Sequence, residues 1–323
     1  MDYPIDAVIA WVDGNDPAHR AKRQTFSDNA EQLKREDVGG DIRFTSVGEI
    51  KYCVASLLRY APFLRKIFIV TDKQDPQIEG FVQTNFPDRK TQIELVDHKV
   101  IYRDYDHLLP VFNSLSIETV LWRIPDLSEH FIYLNDDFML VAPTRPEDFF
   151  LDGKAICYAQ PFSLPLARLL RKIKPKKNGH RLFGFKDAMI NACDVVGHKG
   201  SFPYIGHIPL AQRVSVLKNF FEAHPEVMKE NMKARFRVPT QFNPQVLCYI
   251  LGLESGDCVL RPRKGKDLYL KPKDKPGYVQ AHLDRFDRSR TGLFCCFNSL
   301  DLATPDDQER VIRWLQKRME VKG

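Results

Sequence analysis

At 323 residues, the chain is long enough for one large α/β domain or for a nucleotide-binding core with a smaller second part. Hydrophobic residues make up 43% of it and charged residues 28%, without a run of about eighteen apolar positions, which argues against a membrane-spanning protein. The net charge of +6 suits an anionic partner such as a nucleotide diphosphate, a phosphodiester polymer or an anionic lipid.

The N-terminal segment and the cysteines bear on the cellular compartment. Residues 1–14 lead directly from an acidic residue into a strand-like run and lack the basic and apolar regions of a secretory signal. Seven scattered cysteines form no C-x-x-C pair, and the neighbours Cys295 and Cys296 favour buried thiols over a metal site. We therefore expect reduced cysteines and a cytoplasmic location, with the inner face of the plasma membrane as an option.

The first half of the chain alternates short apolar runs with helical patterns. Residues 6–12 (DAVIAWV) predict a buried strand, which the turn signal at 13–17 ends. Ser46 and Glu49 have the spacing of a capping box and predict a helix over 47–60. Three more buried strands are predicted at 66–71, 92–96 and 131–135. A further helix that ends at a proline is predicted by Ile117, Val120, Leu121 and Ile124.

This alternation predicts an α/β fold, with a mostly parallel, Rossmann-like sheet flanked by helices. Ligands of such sheets bind at the carboxyl ends of the strands. Two polar segments follow predicted strands at that edge, namely Asp13-Gly14-Asn15-Asp16 and Asp136-Asp137. The sequence therefore predicts a site that two distant segments share.

The second half is less regular, and we expect a smaller, mainly helical part. Helices are predicted over 214–222 and 244–251, and a last helix begins after Thr304. Its buried face is expected to contain Val311, Trp314, Leu315 and Met319. Two basic runs, 168–177 and 261–275, predict exposed loops that are either a solvated surface or a guide for an anionic acceptor. No nucleic-acid reading motif accompanies them, so we expect no nucleic-acid partner.

Five residues could carry chemistry, and each also has a plainer explanation. The adjacent carboxylates Asp136 and Asp137 suit a divalent cation that bridges phosphate oxygens, or alternatively a turn or a helix cap. Glu118 faces either the site or solvent. His207 stands in an apolar segment, where a buried core histidine is the commoner explanation. Arg237 is either a phosphate clamp or a surface arginine.

Several blocks, taken in order, resemble the signature regions of the Stealth family, which includes bacterial capsule polymerases and the animal N-acetylglucosamine-1-phosphotransferase. The string IDAVIAWVDGNDP at 5–17 is similar to the first region. The second region resembles 41–76 together with 112–140. The third resembles 190–210 and continues to an arginine at 237, and the short fourth resembles LFCCFNSLD at 293–301. Four ordered blocks are more specific than any single motif.

The resemblance also implies which part of the chain binds the donor and which part binds the acceptor. Residues 1–160 would form a GT-A-like core that binds the nucleotide-sugar, and 161–323 would form the acceptor and catalytic part of the same site. By position, the family's essential residues fall on Glu118, Asp137, His207 and Arg237. The loop at 13–16 and Asn298 are implied to contact the nucleotide. The fourth region departs from the family's N-D-x-x-D run, because this chain has Asn298-Ser299-Leu300-Asp301 there.

The activity that the resemblance implies is transfer of a hexose-1-phosphate or an N-acetylhexosamine-1-phosphate from a UDP-sugar to a glycan hydroxyl, with release of UMP, in capsule or cell-surface polysaccharide synthesis. Mg²⁺, or Mn²⁺ in its place, would bind at Asp137 with help from Asp136, and Arg237 would neutralise phosphate charge. His207 is preferred over Glu118 as the general base, because histidine titrates near neutral pH. The acceptor would be an oligo- or polysaccharide, free or lipid-linked, with peripheral membrane association.

Two other functions stay open from the residues. A metal-dependent glycosyltransferase would use the same acidic pair but release UDP. A weaker alternative is a non-enzymatic module whose basic runs bind polyanions or membranes in a salt-sensitive way.

Overall fold

The structure is a computed structural model that describes residues 3–27, 47–173 and 182–323. In these ranges the strands are β1 (Ile5–Ala10), β2 (Lys66–Thr71), β3 (Gln92–Asp97), β4 (His130–Asn135), β5 (Phe138–Leu140), β6 (Phe150–Leu151), β7 (Lys154–Ser163), β8 (Ser201–Ile205), β9 (Leu210–Arg213), β10 (Cys258–Pro262), β11 (Asp267–Leu270) and β12 (Phe294–Phe297). The α-helices are α1 (Pro17–Thr25), α2 (Glu49–Tyr60), α3 (Glu79–Asn85), α4 (His98–Ile101), α5 (Ser114–Glu118), α6 (Leu164–Ile173), α7 (Phe185–Val195), α8 (Val214–Ala223), α9 (Pro225–Met232), α10 (Pro244–Ser255), α11 (Tyr278–Asp287) and α12 (Pro305–Met319). Short 3₁₀ helices lie at Asp106–Leu108, Leu121–Arg123, Pro146–Asp148 and Leu300–Leu302.

The main sheet has the strand order β3-β2-β1-β4-β9. Its first four strands are parallel, and β9 runs antiparallel to β4. In the register of β1, Ala10 lies opposite both Val70 and Asn135. The carboxyl ends of β1, β2 and β4 therefore lie side by side, and the predicted mostly parallel sheet is confirmed.

The apolar runs of β1, β2 and β4 form strands because the sheet is covered on both faces there. Val8, Ile9, Phe68, Ile132 and Leu134 are fully buried. A parallel sheet buried on both faces favours continuous β-branched and apolar runs over strict alternation of polar and apolar residues. The same runs that predicted the strands thus supply the core. The prediction of a buried strand at 92–96 is wrong in one respect, because Val96 is the one buried residue of the edge strand β3.

Two smaller sheets extend the main one toward the site. One has the order β10-β7-β6 with β8 paired to β7, and the other has the order β11-β12-β5. β5 runs antiparallel to β12, with Phe138 opposite Cys296. Each sheet contains strands from both sides of residue 160, and the division of the chain at that residue stays a prediction.

The C-terminal helix agrees closely with its prediction. The Thr304 side chain caps α12 by accepting the Asp307 amide, and the four predicted inward residues are buried. Trp314 packs on Phe286 and Phe297 with ring centroids 5.8 Å apart in both pairs. The predicted strand at 66–71 is also confirmed, and all seven cysteines are buried free thiols.

The helix predicted from the apolar spacing between 117 and 124 is wrong, because the segment divides into α5 and a 3₁₀ turn at Leu121–Arg123. The Thr119 hydroxyl donates to the Leu115 carbonyl at 2.6 Å and accepts from the Asn231 amide at 2.7 Å. Val120 then leaves helical geometry, with φ −118° and ψ 9°. A tertiary hydrogen bond to a β-branched residue thus ends the helix early.

Helix α2 begins at Glu49, two residues later than predicted. Gly48 stands at its N-cap with a left-handed φ of 89°, and the Glu49 carboxylate accepts the Val47 amide at 2.8 Å. Ser46, the predicted cap, lies outside the described residues.

The prediction that the two basic runs are loops is wrong. Residues 168–173 belong to α6, and 174–177 lie outside the described residues. The tract 261–277 contains the end of β10 and all of β11. These strands form because β7 and β12 supply parallel partners, which outweighs the local lysine, glycine and proline content. No helix in the described ranges has the length and apolar composition to cross a bilayer.

Candidate functional site

The acidic cluster, formed by Glu49, Asp136 and Asp137, lies at the carboxyl end of β4. Asp136 and Asp137 are half-buried in the turn between β4 and β5. Burial, and then the charge of Glu49, raises the pKa of Asp136 well above its usual range. Burial likewise raises the pKa of Asp137 to about 6. Burial and the neighbouring negative charge thus both disfavour the ionised forms of Asp136 and Asp137.

The pairing of β5 with β12 determines what lies beside Asp137. Asp137 Oδ2 accepts from Cys296 Sγ at 3.3 Å and from Asn298 Nδ2 at 3.5 Å. The backbone N–H of Asn298 donates to the Leu270 carbonyl at 2.9 Å. Asn298, predicted as a nucleotide contact, thus lies against the acidic cluster, whereas Cys296 was not predicted as part of the site.

Glu118 is buried and does not face solvent. The Tyr133 hydroxyl lies 3.0 Å from Glu118 Oε1 and 2.6 Å from Asn135 Oδ1, and its single proton can be given to only one of these oxygens at a time. Burial raises the pKa of Glu118, while the hydrogen bond from Tyr133 and the charge of Arg237 oppose that rise. Tyr133 therefore links Glu118 to the residue that precedes the acidic pair.

Arg237 reaches Glu118 because a polar network holds α5 to the segment that carries the arginine. Gln241 hydrogen-bonds to Asn113 at 2.6 Å and to Ser116 at 3.0 Å. Arg237 Nη2 donates to Ser114 Oγ at 3.1 Å, at the first turn of the helix that ends in Glu118. The arginine is therefore part of the site region and not a surface residue remote from it.

His207 lies in the turn between β8 and β9, beyond the carboxyl end of β4. β9 places it there, because Leu210 pairs with Tyr133. Three aromatic rings surround the imidazole, at centroid distances of 5.9, 5.2 and 5.4 Å for Phe138, Phe185 and Tyr269. Burial lowers the pKa of His207, so the ring is neutral at pH 7.

Two cations from the second basic run also act on His207, although the sequence did not single them out. Arg263 and Lys271 each lower its pKa further. Arg263 also lies against Gly206, where a Cβ would come within 2.5 Å of its Nη1 atom. Arg263 is itself ion-paired with Asp267, so part of the positive charge beside the histidine is balanced within the protein.

Tyr269 joins the histidine to the acidic cluster. Its ring packs beside His207, and its hydroxyl donates to Asn298 Oδ1 at 3.2 Å. Contacts thus form two series that both end at the turn after β4. One runs from Arg237 through Ser114, Glu118 and Tyr133 to Asn135. The other runs from Asp137 through Asn298 and Tyr269 to His207, and Asn135 and Asp137 are two residues apart in the sequence. The catalytic role of each residue stays a prediction.

The loop at 13–16 lies at the same edge of the sheet. Gln74, in the loop after β2, accepts the Asp13 amide and donates to the Asp16 carboxylate, both at 2.9 Å. Asp13 accepts the Asn15 amide, and Asp16 caps α1 through the Ala18 amide, both at 2.8 Å. The two carboxylates therefore shape the loop, and contact of Asp13, Gly14, Asn15 and Asp16 with a nucleotide stays a prediction.

Three buried polar atoms beside this loop have no hydrogen-bond partner in the part of the chain that the structure describes. They are Trp11 Nε1, Thr71 Oγ1 and His98 Nδ1. All three follow or end neighbouring strands, and burial lowers the pKa of His98 to about 4. Unsatisfied buried donors and acceptors are costly, so this edge has hydrogen-bonding capacity that a bound nucleotide could satisfy.

The carboxylates of the acidic cluster are of the kind that divalent cations bind. Across residues 3–27, 47–173 and 182–323, no three or more His, Cys, Asp or Glu side chains are arranged to hold a metal. Mg²⁺, however, is usually held by one or two carboxylates together with substrate phosphates and water. Asp136 and Asp137 offer two such carboxylates in one turn, and burial and the neighbouring charge of Glu49 raise the pKa of both.

Two family models match the chain. Stealth protein conserved region 1 matches residues 3–31, and Stealth protein conserved region 2 matches 43–157. The first and second regions are therefore confirmed, and the third and fourth stay predictions.

Known proteins show similarity over much of the chain. An exopolysaccharide phosphotransferase of Streptomyces coelicolor is 35% identical over 75% of this chain and 38% of its own length. The chain spans only 36 to 42% of the length of three such relatives from that organism. A galactosyltransferase solved in complex with donor and acceptor sugar analogues has a TM-score of 0.45 and 11% identity, over 96% of this chain and 95% of that one. The receptor polysaccharide phosphotransferase of Streptococcus gordonii is 31% identical over 77% of this chain and 78% of its own length. One relative thus matches over most of both chains, and two conserved regions of Stealth proteins are present. This chain therefore belongs to the Stealth protein family.

Proposed function

We propose that this chain is an enzyme of polysaccharide synthesis that transfers a sugar 1-phosphate from a UDP-sugar to a glycan hydroxyl and releases UMP. The names of its relatives, which describe exopolysaccharide and receptor polysaccharide phosphotransferases, support the class of reaction. The observation that carries the proposal is that two series of contacts, one from Arg237 and Glu118 to Asn135 and one from His207 to Asp137, meet at the turn after β4. Phosphoryl transfer needs three elements at one place: positive charge, a cation site and a base.

In the proposed reaction, the acceptor oxygen attacks the β-phosphorus of the donor and forms a new P–O bond. The bond from the β-phosphorus to the oxygen that bridges to the α-phosphorus breaks, and UMP leaves with the electron pair. The hydroxyl proton passes to a protein base. The sugar C1–O bond stays intact, so the anomeric configuration of the donor is retained in the phosphodiester.

The acidic cluster, through a bound cation, and Arg237 would each neutralise part of the phosphate charge. Asp137, with Asp136, would hold Mg²⁺ or Mn²⁺, which when bound neutralises diphosphate oxygens. The Arg237 guanidinium, which donates to Ser114, would bind a phosphate oxygen through its fork of donors. Arg263 and Lys271 add positive charge on the His207 side of the site.

His207 is the preferred base. Its lowered pKa keeps the imidazole neutral at pH 7, which is the form that accepts a proton. Glu118 is the second choice, because its buried carboxyl has a raised pKa and is already bonded to Tyr133. On this assignment Glu118 instead orients Tyr133 and Arg237.

The donor nucleotide is proposed to lie at the ends of β1 and β2. The loop at 13–16 and the unpartnered atoms of Trp11, Thr71 and His98 border that edge. Asn298 lies between this edge and the histidine, in contact with Asp137.

An isotope experiment tests the reaction directly. Purified protein is incubated with Mg²⁺, an oligosaccharide and a panel of UDP-hexoses labelled with ³²P at the β-phosphorus. Phosphosugar transfer carries the label into the glycan and releases unlabelled UMP. Label that stays in released UDP would instead establish an ordinary glycosyltransferase, and absence of turnover with every donor would refute both.

Matched variants test the assignment of residues. Arg237→Ala and His207→Ala are each expected to reduce turnover about 10²-fold or more, the scale for a charge stabiliser or a base. Arg235→Ala and His224→Ala are the controls, since Arg235 bonds the Pro110 carbonyl and the His224 side chain is largely exposed. Near-normal transfer by both site variants, with intact folding, would show that the assignment is wrong.

A further inference from the structure

One lysine lies over two aromatic rings close to His207. Lys186 Nζ is 4.3 Å from the ring centroid of Phe162, on β7, and 5.2 Å from that of Tyr204, on β8. The two rings are neighbours, with their centroids 5.8 Å apart. All three side chains are half-buried, so part of each is open to solvent. We call these three residues the lysine–aromatic surface.

This surface adjoins the candidate site through two elements of the fold. Phe185, which precedes Lys186 at the start of α7, stacks on the His207 ring with centroids 5.2 Å apart. Tyr204 stands near the end of β8, three residues before His207 in the sequence. The turn that carries the proposed base is therefore in contact with the first turn of the helix that carries the lysine.

Lys186 has no carboxylate partner among the residues that the structure describes. Its ammonium group contacts the two rings instead. By contrast, Arg263, the cation beside His207, is ion-paired with Asp267. Contact with ring faces orients an ammonium group without neutralising its charge. The Lys186 charge is therefore available to an anionic group from outside the chain.

A glycan that contains phosphate matches both the rings and the cation. One face of a pyranose ring consists largely of C–H bonds, and that apolar face packs on aromatic rings. A phosphodiester oxygen accepts a charge-assisted hydrogen bond from an ammonium group. Because the proposed reaction makes phosphodiesters, an acceptor that has already received a sugar 1-phosphate carries both groups along its chain.

We propose that the lysine–aromatic surface is an acceptor subsite for a glycan that already contains a phosphodiester. A sugar of the acceptor packs on the rings of Phe162 and Tyr204, and Lys186 binds the phosphodiester. This assignment rests on the proposed function, which requires the reactive hydroxyl to lie beside His207. Its consequence is that the product of one transfer binds better, as the next acceptor, than a neutral glycan does.

Binding to the full chain without donor tests the subsite. Isothermal titration calorimetry compares a phosphodiester-linked oligosaccharide with a neutral one of the same length and with one that carries uronic acids. We expect the phosphodiester glycan to bind about tenfold more tightly than the neutral one, the scale of one hydrogen bond to a charged group. Equal affinity for these two would overturn the proposal. Equal affinity for the phosphodiester and uronic acid glycans would overturn it too, because the surface would then recognise charge alone.

Variants assign the preference to the lysine. Lys186→Met removes the charge with little change in side-chain length and should abolish the preference for the phosphodiester glycan, whereas Lys186→Arg should keep it. The matched control is Lys218→Met, which removes an exposed lysine of α8 and should bind like the parent protein. Tyr204→Leu should weaken binding of both glycans, because it removes a ring. A folded Lys186→Met variant that keeps the preference would overturn the proposal.

Transfer separates the subsite from the proposed function. In Lys186→Met, transfer of label from a β-³²P UDP-sugar to a short neutral acceptor should equal that of the parent protein. A loss there would place Lys186 in the reaction itself and overturn the subsite. If the parent protein transfers no label but still prefers the phosphodiester glycan, the proposed function fails and the subsite stands.

Discussion

Two acidic parts of the candidate site, the buried Glu118 and the acidic cluster with its half-buried aspartates, are regions with different electrostatic surroundings. Glu118 has compensation within the protein, from the Tyr133 hydroxyl, from Ser114 and from the Arg237 charge. In the acidic cluster, by contrast, the strongest charge acting on both Asp136 and Asp137 is another carboxylate, that of Glu49. A cation of the protein therefore acts on Glu118, whereas the strongest charge acting on the two aspartates is negative.

We expect this difference to separate an acid that orients its neighbours from one that binds a cation. The Glu118 carboxylate is expected to hold Tyr133 and Arg237 whether or not substrate is present. The repulsion within the acidic cluster is expected to fall when a cation and a diphosphate bind.

The largest expected effect comes from removing charge in the acidic cluster. Asp137→Asn keeps the size of the side chain but removes the proposed cation ligand, and we expect turnover to fall about 10²-fold or more. The measurement is label transfer from a β-³²P UDP-sugar. Asp307→Asn, in the first turn of α12, is the control. Activity within a few-fold of the parent would remove Asp137 from the mechanism.

The second effect is on stability as a function of pH. The usual aspartate pKa of 3.8 rises to about 6 at Asp137, so the folded state holds this proton more tightly than the unfolded state. Stability without metal should therefore fall as pH rises from about 4 to about 6, by about 2 kcal/mol, and then level off. Asp137→Asn should flatten this part of the curve, as measured by chemical denaturation.

Mg²⁺ should reverse that loss only where the carboxylates are ionised. We expect a larger rise in Tm on adding Mg²⁺ at pH 7.5 than at pH 5, and no rise in Asp137→Asn. Glu118→Gln should keep the response, because its carboxylate is compensated by Arg237. Equal Mg²⁺ responses in the two variants would contradict the contrast between the regions.

Removal of the link between the regions should have a smaller effect. Tyr133→Phe deletes the hydroxyl that joins Glu118 to Asn135 and leaves a buried acceptor unsatisfied, at a cost of about 1–3 kcal/mol in unfolding free energy. The pKa of Glu118 should rise further, because the lost bond favours the ionised form. Denaturation and an NMR titration of Glu118 measure the two effects, and an unchanged titration would show that the bond does not tune the acid.

The smallest expected effect is the energetic coupling between Glu118 and Arg237. In a double-mutant cycle of Glu118→Gln and Arg237→Gln, we expect a coupling free energy of about 0.5–1 kcal/mol. Strict additivity of the two unfolding free energies would mean that the arginine does not stabilise the acid.

Elements could be predicted where the local sequence and the tertiary environment agree. β2 and α12 are examples, because an uninterrupted apolar run fills a strand buried on both faces and a capped amphipathic pattern fills a helix on the core. The tract at 261–277 could not be predicted, because its strands depend on β7 and β12, which lie far away in sequence. In α6, the lysine and proline content obscured a regular apolar spacing whose face turns away from the core.

The site was predictable as a set of residues but not as a set of contacts. The turn of Asp136 and Asp137 follows a recognisable strand, and the resemblance to the family pointed to Glu118, His207 and Arg237. Tyr133, Cys296 and Tyr269 gave no signal, because each takes part only through pairing of distant strands. The local sequence shows which side chains are able to take part in chemistry, whereas the register of the strands decides which of them are in contact.

The burial of all seven cysteines has a practical consequence for labelling experiments. Thiolates react with maleimides far faster than thiols do, and burial raises the pKa of six of these groups, namely Cys53, Cys157, Cys193, Cys248, Cys295 and Cys296. A fluorophore can therefore be attached at one introduced surface cysteine, such as Leu302→Cys, with the native residues left in place. Spectroscopy on the unaltered core then becomes possible without a cysteine-free background.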